Sequence, residues 1–264
     1  MSNRSYLPFP FGGLFCLLTL VACFDSEPPA NAYRGPIIDA YLADPTVIND
    51  DGTYYLYATG YTKDGRGVPI YRSTNLTDWT YLGGAVPRGD STAWNHENFW
   101  APEVFPYAGR YYLYFTASPG TTPKNTGNRV GVAVADTPAG PFSLHGVLVP
   151  EASLDSHVYR DDDGQLYLYY VAEHGNARGL TAGRIYVDSL LSPTEVVGNP
   201  REVVGHLGWQ EGPFLVREGA NYLLTYSSGG WKGPKYHLRY GRADNPLGPF
   251  TESLEERIRP GISV

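Results

Sequence analysis

Four acidic residues, Asp44, Glu103, Asp155 and Glu211, each open a segment of the same pattern. A short apolar stretch follows each one, then a turn with glycine, then an alternating aromatic run such as Thr53-YYLYAT or Arg110-YYLYFT. Carboxylates gathered in one partly buried place repel each other, so at least one of them should titrate above the ordinary carboxylate range. A structural protein has little reason to bear that cost. Cleavage of a glycosidic bond has a specific use for it, because one carboxyl group protonates the leaving oxygen while another takes a proton from water.

The elements that would bring these residues together follow from the repeat. The turn glycines are Gly52, Gly109, Gly164 and Gly219, at spacings of 57, 55 and 55 residues. Repeats of that length built from short strands point to the blades of an all-β propeller. Asp51-Gly52 and Asp163-Gly164 are signals for two-residue hairpin turns, and the run Asp161-Asp162-Asp163-Gly164 reads as such a turn and not as a calcium loop. Tyr55, Tyr57 and Thr59 alternate with Tyr54, Leu56 and Ala58, the period of two of a strand. Further strands are predicted over residues 130–135 and 236–241, and Ala139-Gly140-Pro141-Phe142 and Leu247-Gly248-Pro249-Phe250 punctuate equivalent places. Four strands per repeat is the content of one blade. The first strand of every blade lines the central channel and all run the same way, so the four acidic residues are expected at one mouth.

Composition agrees. Tyr (22) outnumbers Phe (10), and Gly (31) and Pro (22) are frequent, as pleated surfaces and many turns require. A net charge of −7 without a basic stripe argues against a nucleic-acid partner. A neutral oligo- or polysaccharide suits that balance, and Tyr and Trp faces suit sugar rings. Near the N-terminus, Arg4 precedes an apolar run through Phe11, Leu14, Leu18 and Val21. That run is shorter than the roughly 20 residues of a spanning helix and reads as a signal-peptide core. It ends in Leu20-Val21-Ala22-Cys23, which resembles a bacterial lipobox. Residues 1–23 are therefore expected to be a lipoprotein signal ending at a lipidated Cys23, residues 24–34 a tether, and 35–264 the propeller domain. An ordinary secretory signal is the alternative. The expected location is the bacterial cell envelope, with the membrane reached only through the lipid. Cys16 and Cys23 both fall in the signal, so the mature domain has no disulfide.

Asp44-Pro45 before the Asp51-Gly52 hairpin, Trp100-Ala101-Pro102-Glu103, Asp155 before Arg160-DDDG, and Glu211-Gly212-Pro213 together resemble glycoside hydrolase family 43. The resemblance runs from about Asp39 to Phe250. It implies a five-bladed β-propeller that hydrolyses arabinan and xylan linkages with inversion at the anomeric carbon. It implies Asp44 as general base, Glu211 as general acid, and Asp155 as the carboxylate that orients the acid and raises its pKa. Inversion needs the acid and base about 6.5–9.5 Å apart to admit the attacking water. A non-catalytic sugar-binding propeller is the competing function. No cofactor is required, although the resemblance leaves room for a calcium ion in the channel of the complete protein; the sequence itself offers no metal-ligating set.

Around these residues, Phe99 and Trp100 lie just before a channel strand, placed either to stack on a sugar or to pack between blades. Trp209, just before Glu211, is expected at the substrate. Glu103 is expected at the mouth as a binding group. His157 should share the strand face of Asp155 and meet the sugar or a channel ion, and His96 and Glu97 would lie at the rim. Four repeats are evident and the fifth is missing or partial. Either the chain is a fragment of a longer one, or it is a four-bladed variant closed by a strand near residues 36–39.

Overall fold

A computed structural model describes residues 37–123, 126–174, 179–205 and 208–252. The signal of 1–23 and the tether of 24–34 lie outside the described residues. Asp51 and Gly52 both take positive φ, 47° and 81°, as a two-residue hairpin turn demands. They join β1 (Leu42–Asp50) to β2 (Thr53–Gly60). Ala108 and Gly109 repeat the device between β5 (Glu97–Tyr107) and β6 (Arg110–Ser118). The third hairpin departs from expectation, because residues 161–165 separate β9 (Ser153–Arg160) from β10 (Leu166–Ala172). There Asp161 is drawn towards the next repeat, where its carboxylate accepts the Tyr222 hydroxyl at 2.8 and 2.9 Å and meets Arg217 at 3.3 Å. The fourth hairpin joins β14 (Gln210–Glu218) to β15 (Asn221–Ser228) through Gly219 and Ala220.

Each hairpin grows outward into an antiparallel sheet. The first adds β3 (Gly67–Ser73) and β4 (Thr80–Val86), and the second adds β7 (Arg129–Ala135) and β8 (Ser143–Val147). The third adds β11 (Arg184–Ser192), β12 (Glu195–Val196) and β13 (Arg201–Glu202), the last two both pairing with β11. The fourth adds β16 (His237–Ala243) and β17 (Thr251–Glu252). The result is an all-β propeller with four blades among the described residues. Residues 37–41 form bends and no strand, so the described part of the stretch near residues 36–39 supplies no closing strand.

Blades stack in chain order through three apolar layers. Tyr57, Val68, Ile70 and Val86 of the first pack on Phe99, Leu113 and Phe115 of the second. Tyr114, Val130 and Val132 meet Leu168, Tyr170 and Tyr186. Tyr169, Ile185 and Val187 meet Leu215, Leu224 and Tyr226. Apolar burial of this kind is the main favourable term of the fold. One buried tyrosine of each second strand adds a directional bond to the layer. Tyr57 donates its hydroxyl to Pro138 O in the outer turn of the next blade, Tyr114 to Pro193 O at 2.6 Å, and Tyr169 to Pro246 O. In the fourth blade Thr225 stands at that register position, opposite Phe214. Tyr226 next to it points back at the third blade, where it is fully buried in the layer with Tyr169 and Ile185, its hydroxyl without a partner among the described residues.

Candidate active site

One local irregularity recurs at the same point of every first strand and builds the site. The β1 register shifts at Asp44-Pro45, β5 at Ala101-Pro102, β9 at Asp155-Ser156 and β14 at Gly212-Pro213. These are β-bulges, each with its first residue at positive φ: Asp44 46°, Ala101 41°, Asp155 53° and Gly212 59°. A bulge is also where proline fits inside a strand, since the unpaired residue needs no ladder N–H. Aspartate tolerates the left-handed region better than most residues, yet at a cost, and strain of this kind gathers at functional sites.

The bulges also correct the expectation that all four acids occupy one level. Asp44 and Asp155 are equivalent; Glu211 stands one residue before the bulge, and Glu103 two residues beyond it, opposite Tyr114. Glu103 is consequently drawn deeper. Its Oε2 lies 2.8 Å from His157 Nδ1 and its Oε1 accepts the Val158 N–H at 3.1 Å. His157, 5% exposed, is turned inward by the same effect, because the bulge at Asp155-Ser156 interrupts the alternation that would have kept it beside Asp155. Its ring lies 4.5 Å from that of Phe214, and its Nε2 is buried without a partner among the described residues.

Asp44, Asp155 and Glu211 act on one another through charge. Asp44, Glu103 and Asp155 line a cavity of about 130 Å³ together with Ala101, Gly212 and Phe214, so all four first strands contribute. Burial, the Glu211 charge and the Asp44 charge together push Asp155 up to about 7, against the opposing pull of the Gly212 N–H, which it accepts on Oδ2 at 3.0 Å. Glu211 is held from two sides. The Trp209 indole donates to its Oε2 at 2.8 Å, and the Tyr236 phenol, raised by burial, hydrogen-bonds it as well as Ser227. Trp209 itself lies on Gly183, where a Cβ would stand 2.5 Å from the indole. On the other side, Thr59 donates to Asp44 Oδ2 at 2.6 Å.

A second depression of about 420 Å³ is lined by Thr59, which bonds Asp44 of the first, and by Trp100, the chain neighbour of Ala101 of the first. Trp100 forms part of its wall, with Tyr61, Glu97 and Arg88. Phe99 also borders it, but its ring is mostly core, stacked on Phe115 at 6.0 Å under the Arg88 guanidinium. His96 is tied to Gly89 O at 3.0 Å. Sequence reasoning missed Thr59, Tyr236 and the bulge itself. Thr59 had a signal, since Thr116 stands 57 residues later at the same register position, opposite Trp100. Tyr236 had none, because it reaches Glu211 from the outer part of its blade.

Both oxygens of Glu103 are engaged by His157 and Val158, and among the described residues no group of three or more His, Cys, Asp or Glu could hold a metal ion.

A propeller whose blades deliver carboxylates to one mouth, one of them raised to about 7 by burial and by its neighbours' charges, has the architecture of a glycosidase. The chain belongs to the family of glycosyl hydrolases family 43, whose model matches residues 33–259. It is similar, at 28% identity over 83% of this chain and 68% of the relative, to an extracellular exo-α-(1→5)-L-arabinofuranosidase of Cellvibrio japonicus. A β-D-galactofuranosidase of Aspergillus niger is 25% identical over 87% of this chain and 68% of its own length. Among solved structures, a thermostable family-43 glycoside hydrolase superposes with a TM-score of 0.72 at 28% identity, covering 85% of this chain and 76% of that one. An endo-1,4-β-xylanase of Bacteroides thetaiotaomicron superposes with a TM-score of 0.69 at 27% identity, covering 82% and 74%. The protein is a glycoside hydrolase.

Proposed function

We propose that the chain hydrolyses α-L-arabinofuranosyl or β-D-xylosyl linkages of plant cell-wall polysaccharides or their oligosaccharides, with inversion. Asp44 acts as the base that takes a proton from the attacking water. Glu211 gives its proton to the departing glycosidic oxygen. Asp155 holds the Glu211 segment through the Gly212 N–H and, by its proximity, keeps a proton within the acidic group. The observation that carries this reading is an Asp155 pushed up to about 7 by its burial and by the charges of Glu211 and Asp44 from two other blades. The same cost would bring a sugar-binding propeller no benefit. The arabinofuranosidase and xylanase relatives support the choice of sugars. Trp209, Trp100 and the second depression suit the faces and hydroxyls of further sugar units, and the chemistry calls on no cofactor.

Two wider features belong to the same proposal. The ring takes a fifth blade. In its favour, no contact joins the fourth blade to the first as extensively as consecutive blades are joined among the described residues. The protein works in the bacterial envelope, held by lipid on Cys23 and facing the periplasm or cell surface; among the described residues no helix is long and apolar enough to cross a membrane.

Turnover of arabinan, xylan and aryl glycosides tests the activity. Glu211→Gln should abolish most hydrolysis of substrates with poor leaving groups while sparing activated aryl glycosides, because only the former need the proton. Binding of oligosaccharides with no turnover of any substrate would leave a binding propeller instead.

A further inference from the structure

We propose that Thr59 is a positioning residue for Asp44, a role that rests on Asp44 being the base. The bonding at this point has only one direction. A backbone N–H can only donate, so Thr59 Oγ1 must accept the Ala101 N–H, 2.8 Å away, with a lone pair. The single hydroxyl proton is then left for Asp44 Oδ2 at 2.6 Å. Thr59 is half-buried and β-branched, so its side chain has few alternatives once the Ala101 N–H has chosen one.

Asp44, by contrast, is exposed at its bulge, and Thr59 is the one hydrogen-bond partner of its carboxylate among the described residues. A carboxylate so placed would otherwise swing in water. Tied through Thr59 to the second blade, it keeps Oδ2 engaged and presents Oδ1 to accept the proton of the attacking water.

Comparison of the repeats sharpens the assignment. Thr116 receives the Asp155 N–H at 3.1 Å at the same register position, but the bulge residue of its own blade is Ala101, so it has no carboxylate to orient. In the third blade Val171 stands there and can accept nothing, and Asp155 itself takes the Gly212 N–H. Among these blades only Thr59 both clamps the neighbouring bulge and directs a carboxylate.

The test is steady-state hydrolysis of an aryl glycoside by Thr59→Val, Thr59→Ala and Thr59→Ser beside the wild type, with folding checked by circular dichroism. A misdirected base should lower kcat on the order of 10- to 100-fold with KM within about threefold, for Val or Ala alike. Thr59→Ser, which keeps the hydroxyl, should recover most of the rate. A kcat within about twofold of wild type for the folded Val or Ala variant, or a Ser variant as impaired as they are, overturns the assignment. Asp44→Asn separates the two levels. If it is inactive while Thr59→Val is unimpaired, Thr59 alone is wrongly assigned; if it is as active as wild type, the base assignment itself falls, and with it this role for Thr59.

Discussion

Asp155 carries the electrostatic cost of the site, and that cost has a sign. Its pKa rises from an ordinary 3.8 to about 7 because burial and two neighbouring carboxylates penalise its charge. The folded protein therefore holds this proton more tightly than the unfolded chain. The sign of linkage is that this group favours folding most at low pH, and that stability is lost as pH climbs from about 4 to about 7. Asp155→Asn removes the charge, keeps an oxygen for the Gly212 N–H, and tolerates the same left-handed backbone. Its melting temperature should exceed that of the wild type at pH 8, with the gap closing below pH 5. A gap that does not change with pH, followed by calorimetry, would exclude the linkage. At this scale the sequence was informative about type and order. Asp44, Asp155 and Glu211 were legible because each opens a repeat, whereas the inward turn of Glu103 towards His157 was not, because nothing in Trp100-Ala101-Pro102-Glu103 says which residue the ladder leaves unpaired.

The bulged first strand is the element that makes the site. It displaces one residue per blade from the ladder and aims it at the mouth, and it lets the N–H of that residue be bound by the blade before it: Ala101 by Thr59, Asp155 by Thr116 and Gly212 by Asp155. Gly212 is the one glycine among the four bulge residues, and a Cβ there would meet nothing within 4 Å. Replacing it by alanine should thus cost only the left-handed backbone, about 1 kcal/mol. Ala101→Gly should return a similar amount of strain, reduced by the glycine's greater freedom when unfolded, so its stability should change by less than about 1 kcal/mol. Urea unfolding measures both; a Gly212→Ala variant that loses several times the expected stability would mean the position is sterically closed. Hairpins and period-two strands were readable from Asp51-Gly52 and the tyrosine alternation. The bulge escaped because it is a pairing property, settled by the partner strand and not by either sequence alone, although Pro45, Pro102 and Pro213 stood at its second position.

At the scale of the molecule, a propeller must be held between blades, and the tyrosine-to-turn bond does this three times. Tyr57→Phe, Tyr114→Phe and Tyr169→Phe each leave a turn carbonyl without its donor and should destabilise by roughly 1–2 kcal/mol. Tyr226→Phe should be neutral or slightly stabilising, since it removes a buried hydroxyl that has no partner among the described residues. A loss at Tyr226 equal to the other three, read from thermal melts, would show that its hydroxyl is already satisfied. The repeat period alone made the four blades predictable. The interlock was hidden, because the tyrosine and the proline that accepts from it lie 77 to 81 residues apart in different blades.

The central claim is that Asp44 and Glu211 act across the mouth on a water and a glycosidic oxygen, and the stereochemistry of the first product reports on this most directly. Proton NMR of an arabino- or xylo-oligosaccharide digest, recorded before mutarotation, should show the anomer opposite to that of the bond cleaved, and Asp44→Asn should abolish its appearance. Release of the retained anomer would contradict the account, because the second carboxylate would then be attacking the sugar and not a water.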